Sequence, residues 1–428
     1  MPALLGCIAD DLTGGTDLSG ILVNNGMRTV QMIGAPEGPW PANADAVVVA
    51  LKSRTIPADD AVKESLAALR WLQAAGCIQY YFKYCSTFDS TPRGNIGPVA
   101  EALMDALETE FTIACSAFPA TRRTIYQGYL FVNGVLLNES GMQHHPLTPM
   151  TDASLVRVLQ QQTRRKVGLV EHGAVSAGGG AIAEQFARLR LDGCGLAIVD
   201  AISDTDLAEI GTAAADLTLV TGGSGLAQGL PQNFRRRGLL NRPAAKEKAV
   251  VPGGFQVVIA GSCSTATRSQ VEVMRAQHPA FRVDPLALAS GEDVVGAAVE
   301  WAAARVGAEP ILIYATAAPE EVQAIQARLG VEQSAALVER ALAAIAERLV
   351  ALGVGQLIVA GGETSGAVLH ALGVKRLTIG REIDPGVPWT TTMLEKPKRR
   401  PLALALKSGN FGTPDFFLKA WAKLAQTS

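Results

Sequence analysis

Short apolar runs alternate with longer amphipathic stretches along the first half of the chain. The stretch 59–75 carries Val62, Leu66, Leu69 and Leu72 at three- and four-residue spacing, which is typical of a helix. Near-continuous apolar strands that alternate with helices indicate parallel sheets covered on both faces. The predicted strands are Leu4–Ala9, Ala46–Leu51, Tyr80–Cys85, Phe111–Ala117, Val167–Glu171, Leu196–Asp200 and Leu217–Thr221.

The second half repeats this alternation, with its longest predicted helix at Gln333–Leu352 and a closing helix at Pro414–Ala425. Between the halves, residues 231–254 lack sustained periodicity and are rich in Arg, Pro and Gly, which is typical of a connection. We therefore predict an α/β protein of two domains, 1–230 and 255–428, each a mostly parallel sheet flanked by helices. The predicted strands of the second half are Gln256–Ala260, Ile311–Ala315, Leu357–Ala360 and Leu402–Leu406.

Composition narrows the classes of partner. The 428 residues carry a net charge of −2, which gives no electrostatic reason to expect nucleic acid or an anionic membrane. No apolar run reaches the roughly 18 residues of a membrane span. The six cysteines form no C-x-x-C pair, which favours reduced thiols in a cytoplasmic protein. A homo-oligomer is compatible with the sequence, which does not indicate the oligomeric state.

Polar residues follow the predicted strands of the first half. In parallel sheets, ligands bind beyond the carboxyl ends of the strands, so these residues are expected to converge on one edge. Arg binds a carboxylate through two parallel hydrogen bonds, and Asp accepts hydrogen bonds from hydroxyl groups. We interpret the group as a site for a hydroxylated acid, although Asp11 alone could simply cap a helix. The candidates are Asp10, Asp11, Arg54, Lys83, Asp89, Ser90, Arg93, Gly222 and Gly223.

Three loops of small residues follow strands in the second half, at 261–267, 361–366 and 407–412. Glycine allows close backbone approach, and hydroxyl groups and helix N-terminal amides bind phosphate oxygens. The loops therefore predict a phosphate-bearing cofactor, although the chain lacks both the P-loop and the complete dinucleotide fingerprint. The candidates are Ser262, Ser264, Gly361, Gly362, Glu363, Thr364, Ser365, Gly366, Ser408, Gly409 and Asn410.

The motifs together resemble the four-carbon acid sugar kinase family, and they occur in order over nearly the whole chain. The resemblance implies an N-terminal sugar-acid domain and a C-terminal nucleotide domain. Stretches 83–91, 127–132 and 144–152 are most similar to the branch that phosphorylates 3-oxo-tetronates. The matching motifs are DDLTG at 10–14, KSR at 52–54, FKYCSTFDST at 82–91, LVTGGSGLA at 219–227, GSCS at 261–264, GGETSG at 361–366 and KSGNFG at 407–412.

The resemblance implies that ATP, with Mg²⁺, phosphorylates the terminal hydroxyl of a 3-oxo-tetronate. By position, Ser264, residues 362–365 and Gly409 would contact ATP, while the metal ligands stay unassigned. Asp10 or Asp11 would act on the substrate hydroxyl, and the two are not ranked. Arg54, Lys83 and Arg93 would meet the carboxylate or the transferring group. The alternatives are a D-threonate or D-erythronate 4-kinase and a nicotinamide-dependent sugar-acid dehydrogenase.

Overall fold

The computed structural model describes residues 3–36, 38–41, 44–144, 148–240, 252–395 and 399–425. The chain divides into two compact units, Met1–Ala245 and Lys246–Ser428. None of the helices in these described ranges is long and apolar enough to cross a membrane. The predicted connection at 231–254 includes most of a helix, Leu230–Arg236, whose Leu230 and Phe234 are buried, and its residues 241–251 lie outside the described ranges. The neighbouring arginines hid the apolar spacing of that helix.

The first unit alternates strands with helices as the hydrophobic pattern predicts. Its strands are Leu5–Ala9 (β1), Thr29–Ile33 (β2), Ala46–Ala50 (β3), Gln79–Lys83 (β4), Thr112–Cys115 (β5), Arg123–Tyr126 (β6), Tyr129–Val132 (β7), Val135–Leu136 (β8), Lys166–Val170 (β9), Cys194–Val199 (β10) and Leu219–Gly222 (β11). Its helices are Leu12–Asn24 (α1), Ala58–Ala74 (α2), Ile96–Ala106 (α3), Leu155–Gln160 (α4), His172–Ser176 (α5), Gly179–Leu191 (α6), Asp204–Ala213 (α7) and Leu230–Arg236 (α8).

The main sheet of this unit has the order β2-β3-β1-β4-β11-β5-β10-β9, and its neighbouring strands run parallel. Ala9 at the end of β1 is in register with Ala50 of β3 and Lys83 of β4. Gly222 at the end of β11 is also in register with Lys83. The carboxyl ends of these strands therefore meet at one edge, as the placement of the polar residues predicted.

A small antiparallel sheet of β6, β7 and β8 was not predicted. Its strands are short, and Tyr126 and Tyr129 are exposed, so no apolar run marks them. Gln127 and Gly128 form the turn between β6 and β7 with positive φ angles of 50° and 74°. Only the glycine of this pair is typical of such a turn, so the local sequence signal for a hairpin was weak.

The second unit continues the alternation to the end of the described chain. Its strands are Phe255–Ala260 (β12), Ala280–Arg282 (β13), Ile311–Tyr314 (β14), Val354–Ala360 (β15), Arg376–Asp384 (β16), Val387–Leu394 (β17) and Arg400–Lys407 (β18). Its helices are Thr265–Arg275 (α9), Pro285–Ala289 (α10), Val294–Ala303 (α11), Pro319–Leu329 (α12), Val331–Ala351 (α13), Gly362–Ala371 (α14) and Phe416–Ala425 (α15).

The sheet of the second unit has the order β13-β14-β12-β15-β18-β17-β16. Neighbours from β13 to β18 are parallel, while β17 pairs antiparallel with both β18 and β16. The polar run Thr390–Thr392 in β17 concealed the hairpin from a search for apolar strands. The predicted fold class, two mostly parallel sheets flanked by helices, is confirmed.

Candidate active site

Asp10 and Asp11 directly follow β1, and both carboxylates bind Arg54. Arg54 Nε donates to Asp10 Oδ2 at 2.9 Å and Arg54 Nη2 donates to Asp10 Oδ1 at 2.8 Å. The same Nη2 lies 2.7 Å from Asp11 Oδ1. The Asp10 side chain is 8% exposed and that of Asp11 is 23% exposed. The two aspartates therefore differ in access, with Asp11 closer to solvent.

Asp11 also begins helix α1. Its Oδ1 accepts from the backbone N–H of Gly14 at 3.1 Å, and its Oδ2 accepts from Thr13 Oγ1 at 2.8 Å. Lys83 Nζ, at the end of β4, lies 3.3 Å from Asp11 Oδ1. A β-carbon on Gly14 would lie 1.7 Å from that ammonium nitrogen, so glycine makes room for the lysine. Asp11 is thus both a helix cap and part of the charged cluster.

Burial and charge act differently on the four groups. Burial raises the pKa of Asp10, and the Arg54 guanidinium only partly opposes this effect. Burial alone would also raise the pKa of Asp11, but Arg54, Lys83 and the bonds from Thr13 and Gly14 hold it below its ordinary value. Burial would lower the pKa of Arg54 and Lys83, but the two carboxylates raise both. Asp10 is therefore the more basic of the two carboxylates.

Other predicted residues of the first unit lie around this cluster or away from it. Asp89 Oδ2 lies 3.7 Å from Arg54 Nη1, and Asp89 Oδ1 accepts from Thr87 at 2.6 Å. Ser90 is buried, and its Oγ accepts from Gln162 at 2.6 Å, which fastens the loop. Arg93 is exposed on the surface. The structure therefore brings Asp89 to the cluster and gives Ser90 a supporting contact.

Gly222 and Gly223 have packing reasons to be glycine. A β-carbon on Gly222 would lie 2.3 Å from the Cys115 carbonyl oxygen, which would push β11 away from β5. A β-carbon on Gly223 would lie 3.0 Å from the Ser116 carbonyl oxygen, and the Gly223 carbonyl itself accepts a hydrogen bond from Tyr81. These contacts hold the strand end in place beside Lys83, and substrate contact by either glycine stays a prediction.

Asn95 is a supporting residue that the sequence reasoning missed. It precedes α3, and its Nδ2 donates to the carbonyl groups of Ser53, Arg54 and Ile56 at 2.8, 3.2 and 2.9 Å. This single amide fixes the loop that carries Arg54. Its sequence context, a lone Asn before a helix, is common and gave no signal of that role.

A cavity of about 310 Å³ lies at the carboxyl ends of β12, β14 and β15 in the second unit. Gly261, Ser262 and the segment Gly361–Thr364 form its polar side, next to the first turn of α14. Gly361 has φ +126°, a conformation that favours glycine. The rest of the lining is mostly apolar, with Pro285, Ala315, Ala317, Val322, Ile325, Ala335 and Val338, and it includes the polar Gln326, Ser334 and Glu339. Five predicted cofactor residues, Ser262 and Gly361 to Thr364, therefore line one cavity.

Two of the predicted loops are held together by hydrogen bonds around Gly409. Ser264 caps α9, and its Oγ donates to the Gly409 carbonyl at 2.6 Å. Thr267 Oγ1 donates to the same carbonyl at 2.9 Å, as does Lys407 Nζ at 3.0 Å. A β-carbon on Gly409 would lie 2.4 Å from Ser262 Oγ. This network fixes the spacing of the loops and occupies the Ser264 hydroxyl with protein partners.

Lys407 is a second residue to which sequence reasoning gave no role. It ends β18, is fully buried, and donates to Thr267 Oγ1 and to the Ser408 and Gly409 carbonyls, each at 3.0 Å. Burial lowers the pKa of Lys407 to about 7. The sequence signal was its position, a lysine at the end of the alternating apolar strand.

The remaining predicted residues of this unit are not among those that line the cavity. Ser365 is fully buried in the first turns of α14, and its Oγ has no hydrogen-bond partner in the part of the chain that the structure describes. Gly366 follows it in the helix, Ser408 and Gly409 are half-buried, and Asn410 is exposed. Within the described ranges, no group of three or more His, Cys, Asp or Glu side chains could hold a metal ion.

Comparison with known families matches the two halves of the chain separately. A model of a sugar-binding N-terminal domain matches residues 5–230. A model of a nucleotide-binding C-terminal domain matches residues 257–417. The charged cluster lies within the first match and the cavity within the second.

Individual relatives match the chain over almost its full length. A 3-oxo-tetronate kinase of Cupriavidus necator is 61% identical over 98% of this chain and 97% of its own. A 3-oxo-tetronate kinase of Burkholderia multivorans is 60% identical over 97% and 96% of the two chains. A crystal structure of a Salmonella typhimurium LT2 protein has a TM-score of 0.86 and 43% identity, and the match covers 98% of this chain and 99% of the other.

Proposed function

Because the chain belongs to the four-carbon acid sugar kinase family, which joins a sugar-binding to a nucleotide-binding domain, we propose that it is an ATP-dependent 3-oxo-tetronate kinase. The proposal rests on sequence identity of up to 61% to 3-oxo-tetronate kinases over nearly the whole chain. The product is a 3-oxo-tetronate 4-phosphate. These relatives favour this substrate over D-threonate and D-erythronate, and a kinase over a nicotinamide-dependent dehydrogenase.

The cavity of the second unit fits a nucleotide. Its apolar lining residues, such as Val322, Ile325 and Val338, suit a base, and its small residues and the N-terminus of α14 suit phosphates. The glycines at 261 and 361 keep the polar side open, because a β-carbon on either would approach Thr364 Oγ1 within 3 Å. We therefore assign ATP binding to this cavity, with Mg²⁺ held mainly by the phosphates.

The charged cluster of the first unit suits a hydroxylated acid. We assign the substrate hydroxyl to Asp11, because this carboxylate is the more exposed of the two and has fixed orientation. Asp10 serves as a positioning residue, since both of its oxygens hold Arg54. This assignment ranks the two aspartates that the sequence left equal. Arg54 and Lys83 supply positive charge that opposes the charge of the transferring group.

In the proposed reaction, the oxygen on C4 of the substrate forms a bond to the γ-phosphorus, and the bond from that phosphorus to the β,γ-bridging oxygen breaks. Asp11 accepts the hydrogen bond from the hydroxyl and receives its proton as the new bond forms. The depressed pKa of Asp11 makes it a weak base, but loose phosphoryl-transfer transition states require orientation more than strong base catalysis. The proton then passes to solvent.

We also propose a cytoplasmic location. All six cysteines are free thiols, and Cys7, Cys77, Cys115 and Cys194 are buried. Reduced cysteines of this kind are typical of a reducing compartment. A thiol titration before and after unfolding tests this directly, because disulfides found in protein isolated from its native source would contradict it.

An ADP-release assay across four-carbon acids tests the function. The acids are D-threonate, D-erythronate and the 3-oxo-tetronates formed in place by a dehydrogenase. We expect the highest kcat/KM with a 3-oxo-tetronate and strict dependence on Mg²⁺. A higher kcat/KM with D-threonate or D-erythronate would show that the substrate is not a 3-oxo-tetronate. Reduction of NAD without release of ADP would show that the enzyme is a dehydrogenase and not a kinase.

A further inference from the structure

The two central cations of the charged cluster, Arg54 and Lys83, already have carboxylate partners within the protein. Arg54 directs two of its nitrogens to Asp10 and Asp11. Lys83 lies against Asp11 and is almost completely buried. Arg93, the third predicted cation, is exposed. A substrate carboxylate therefore needs a cation whose donors are not committed to protein carboxylates.

Arg123 is such a cation. Its Nε is buried and has no hydrogen-bond partner among the described residues, and its Nη1 donates to the Thr121 carbonyl. The ion pairs in the described ranges include none for Arg123. A buried guanidinium N–H without an acceptor is costly, so its presence calls for an acceptor that arrives with a ligand.

The position of Arg123 connects it to the cluster. It begins β6 and pairs through its backbone with Phe118, three residues after the carboxyl end of β5. A β-carbon on Gly225 would contact the Phe118 ring at 3.1 Å, so this pair packs against the turn that follows β11. The strands β4, β11 and β5 are neighbours in the sheet, and Arg123 therefore lies at the edge that carries Lys83.

Arg123 and Arg54 share two electrostatic neighbours, Cys85 and Asp89. Burial lowers the pKa of Arg123, and Cys85, Asp89 and Asp17 partly oppose that effect. Cys85 in turn interacts with Asp89, Arg54 and Lys83, and burial raises the pKa of its thiol to about 11. The thiol is therefore neutral at pH 7 and supplies no charge. Asp89 is close enough to orient the site but hydrogen-bonds to Thr87.

We propose that Arg123 binds the carboxylate of the sugar acid, through the edge of the guanidinium that includes Nε, and so determines specificity for acids. The inference rests on the proposed function, since it names the group that recognises the substrate of that site. A guanidinium edge matches the two oxygens of a carboxylate, which a lysine or an amide cannot reproduce. Arg54 and Lys83 are then left for the hydroxyl end and the transferring phosphoryl group.

The test compares 3-oxo-tetronate with its neutral carboxamide, both as substrates and as calorimetric ligands without ATP. We expect the unaltered protein to prefer the acid by about 100-fold, the value of two charge-assisted hydrogen bonds. Arg123→Gln should lower the kcat/KM and the affinity for the acid about 100-fold and should leave both values for the carboxamide unchanged. Arg123→Lys, which keeps the charge without the fork, should retain roughly a tenfold preference.

Arg122→Gln is the matched control, because Arg122 is the exposed arginine next to Arg123 in sequence, and it should leave the preference unchanged. Loss of the preference in Arg122→Gln, or its persistence in Arg123→Gln, would overturn the inference. An equal loss of kcat for acid and carboxamide would also overturn it, since Arg123 would then act on the phosphoryl group. If Arg123→Gln fails to fold, Arg123→Lys and the control decide.

The calorimetric measurement separates this inference from the proposed function. A protein that binds the acid through Arg123 but releases no ADP would refute the kinase and keep the binding assignment. A kinase whose acid preference survives Arg123→Gln would refute the assignment and keep the kinase. An unaltered protein that binds acid and carboxamide equally would overturn the assignment.

Discussion

Lys83 and Lys407 occupy equivalent places in the two units, each at the carboxyl end of a parallel strand and almost completely buried. Lys83 lies beside Asp11, and the carboxylates there raise its pKa above the ordinary value against the effect of burial. Among the described residues, Lys407 donates to a hydroxyl and two carbonyl groups and to no carboxylate, and burial lowers its pKa to about 7. The same residue type in the same topological position thus has opposite electrostatic properties.

The difference follows from what each unit is proposed to bind. The first unit must hold an acid beside its own aspartates, so it keeps permanent cations in ion pairs. The second unit is proposed to bind phosphates, and its lysine is poised between neutral and charged forms until an anion is near. A buried lysine therefore indicates its ligand only when its protein partners are known.

Replacing Lys83 and Lys407 in turn should give the largest difference in the free energy of unfolding. Lys83→Met leaves Asp11 with less compensation and should lower the free energy of unfolding by about 3–5 kcal/mol. Lys407→Met removes a buried cation without a carboxylate partner and should be neutral or stabilising at pH 7. Urea unfolding measures both, with Lys63→Met on the exposed face of α2 as the control. Equal losses of unfolding free energy in Lys83→Met and Lys407→Met would contradict the proposed electrostatic difference between the two lysines.

Substitutions of Asp10 and of Asp11 should have different effects on kcat and KM. Asp11→Asn keeps a helix cap but loses the charge that orients the hydroxyl, so kcat should fall about 100-fold. Asp10→Asn leaves Asp11 in place and should act mainly through KM, because Arg54 loses its orientation. Steady-state kinetics of the two variants check this. A larger fall in kcat for Asp10→Asn would reverse the ranking.

The lowered pKa of Lys407 predicts a pH dependence of stability. Between about pH 7 and its ordinary value of 10.5, the unfolded chain holds a proton that the folded chain has released. Stability should therefore rise with pH in this window, by about 2 kcal/mol between pH 7 and 9. The rise should vanish in Lys407→Met, which serves as its own control. Identical pH profiles for the two proteins would place the Lys407 pKa outside this window.

A substitution that displaces the Lys83 ammonium should have the smallest effect on the free energy of unfolding. Gly14→Ala places a β-carbon within 1.7 Å of the present Nζ position, so the ammonium must move away from Asp11. We expect a net loss of about 1 kcal/mol, although alanine is the better helix former. Gly180→Ala, in α6 with open space around it, should instead gain up to about 1 kcal/mol. Thermal unfolding distinguishes the signs, and a gain at Gly14 would refute the packing argument.

The buried strands and their order of alternation were predictable, because continuous apolar runs of four to eight residues such as Ala46–Ala50 are typical of strands buried on both faces. The convergence of Asp10, Arg54 and Lys83 followed from parallel topology, since the carboxyl ends of neighbouring strands share one edge. Elements with exposed faces escaped prediction, as the hairpin at Tyr126 and Tyr129 did. Their short strands bury too few residues to produce a pattern.

Individual roles were less predictable than the location of the sites. Arg93 and Arg123 both follow strands, and only the structure distinguishes the exposed Arg93 from the half-buried Arg123, whose Nε is buried. Asp11 was predicted either as a cap or as a site residue, and its contacts include both Gly14 and Arg54. Lys407 needed the three-dimensional contacts of Gly409, because its neutral partners are distant in sequence or belong to the backbone.

The most direct test of the kinase assignment is the position of the transferred phosphate. Phosphorus and proton NMR of the product from ATP and a 3-oxo-tetronate should give one phosphate ester, whose phosphorus couples to the two protons on C4. Coupling to the single proton on C2, an acyl phosphate without proton coupling, or inorganic phosphate alone would contradict the account.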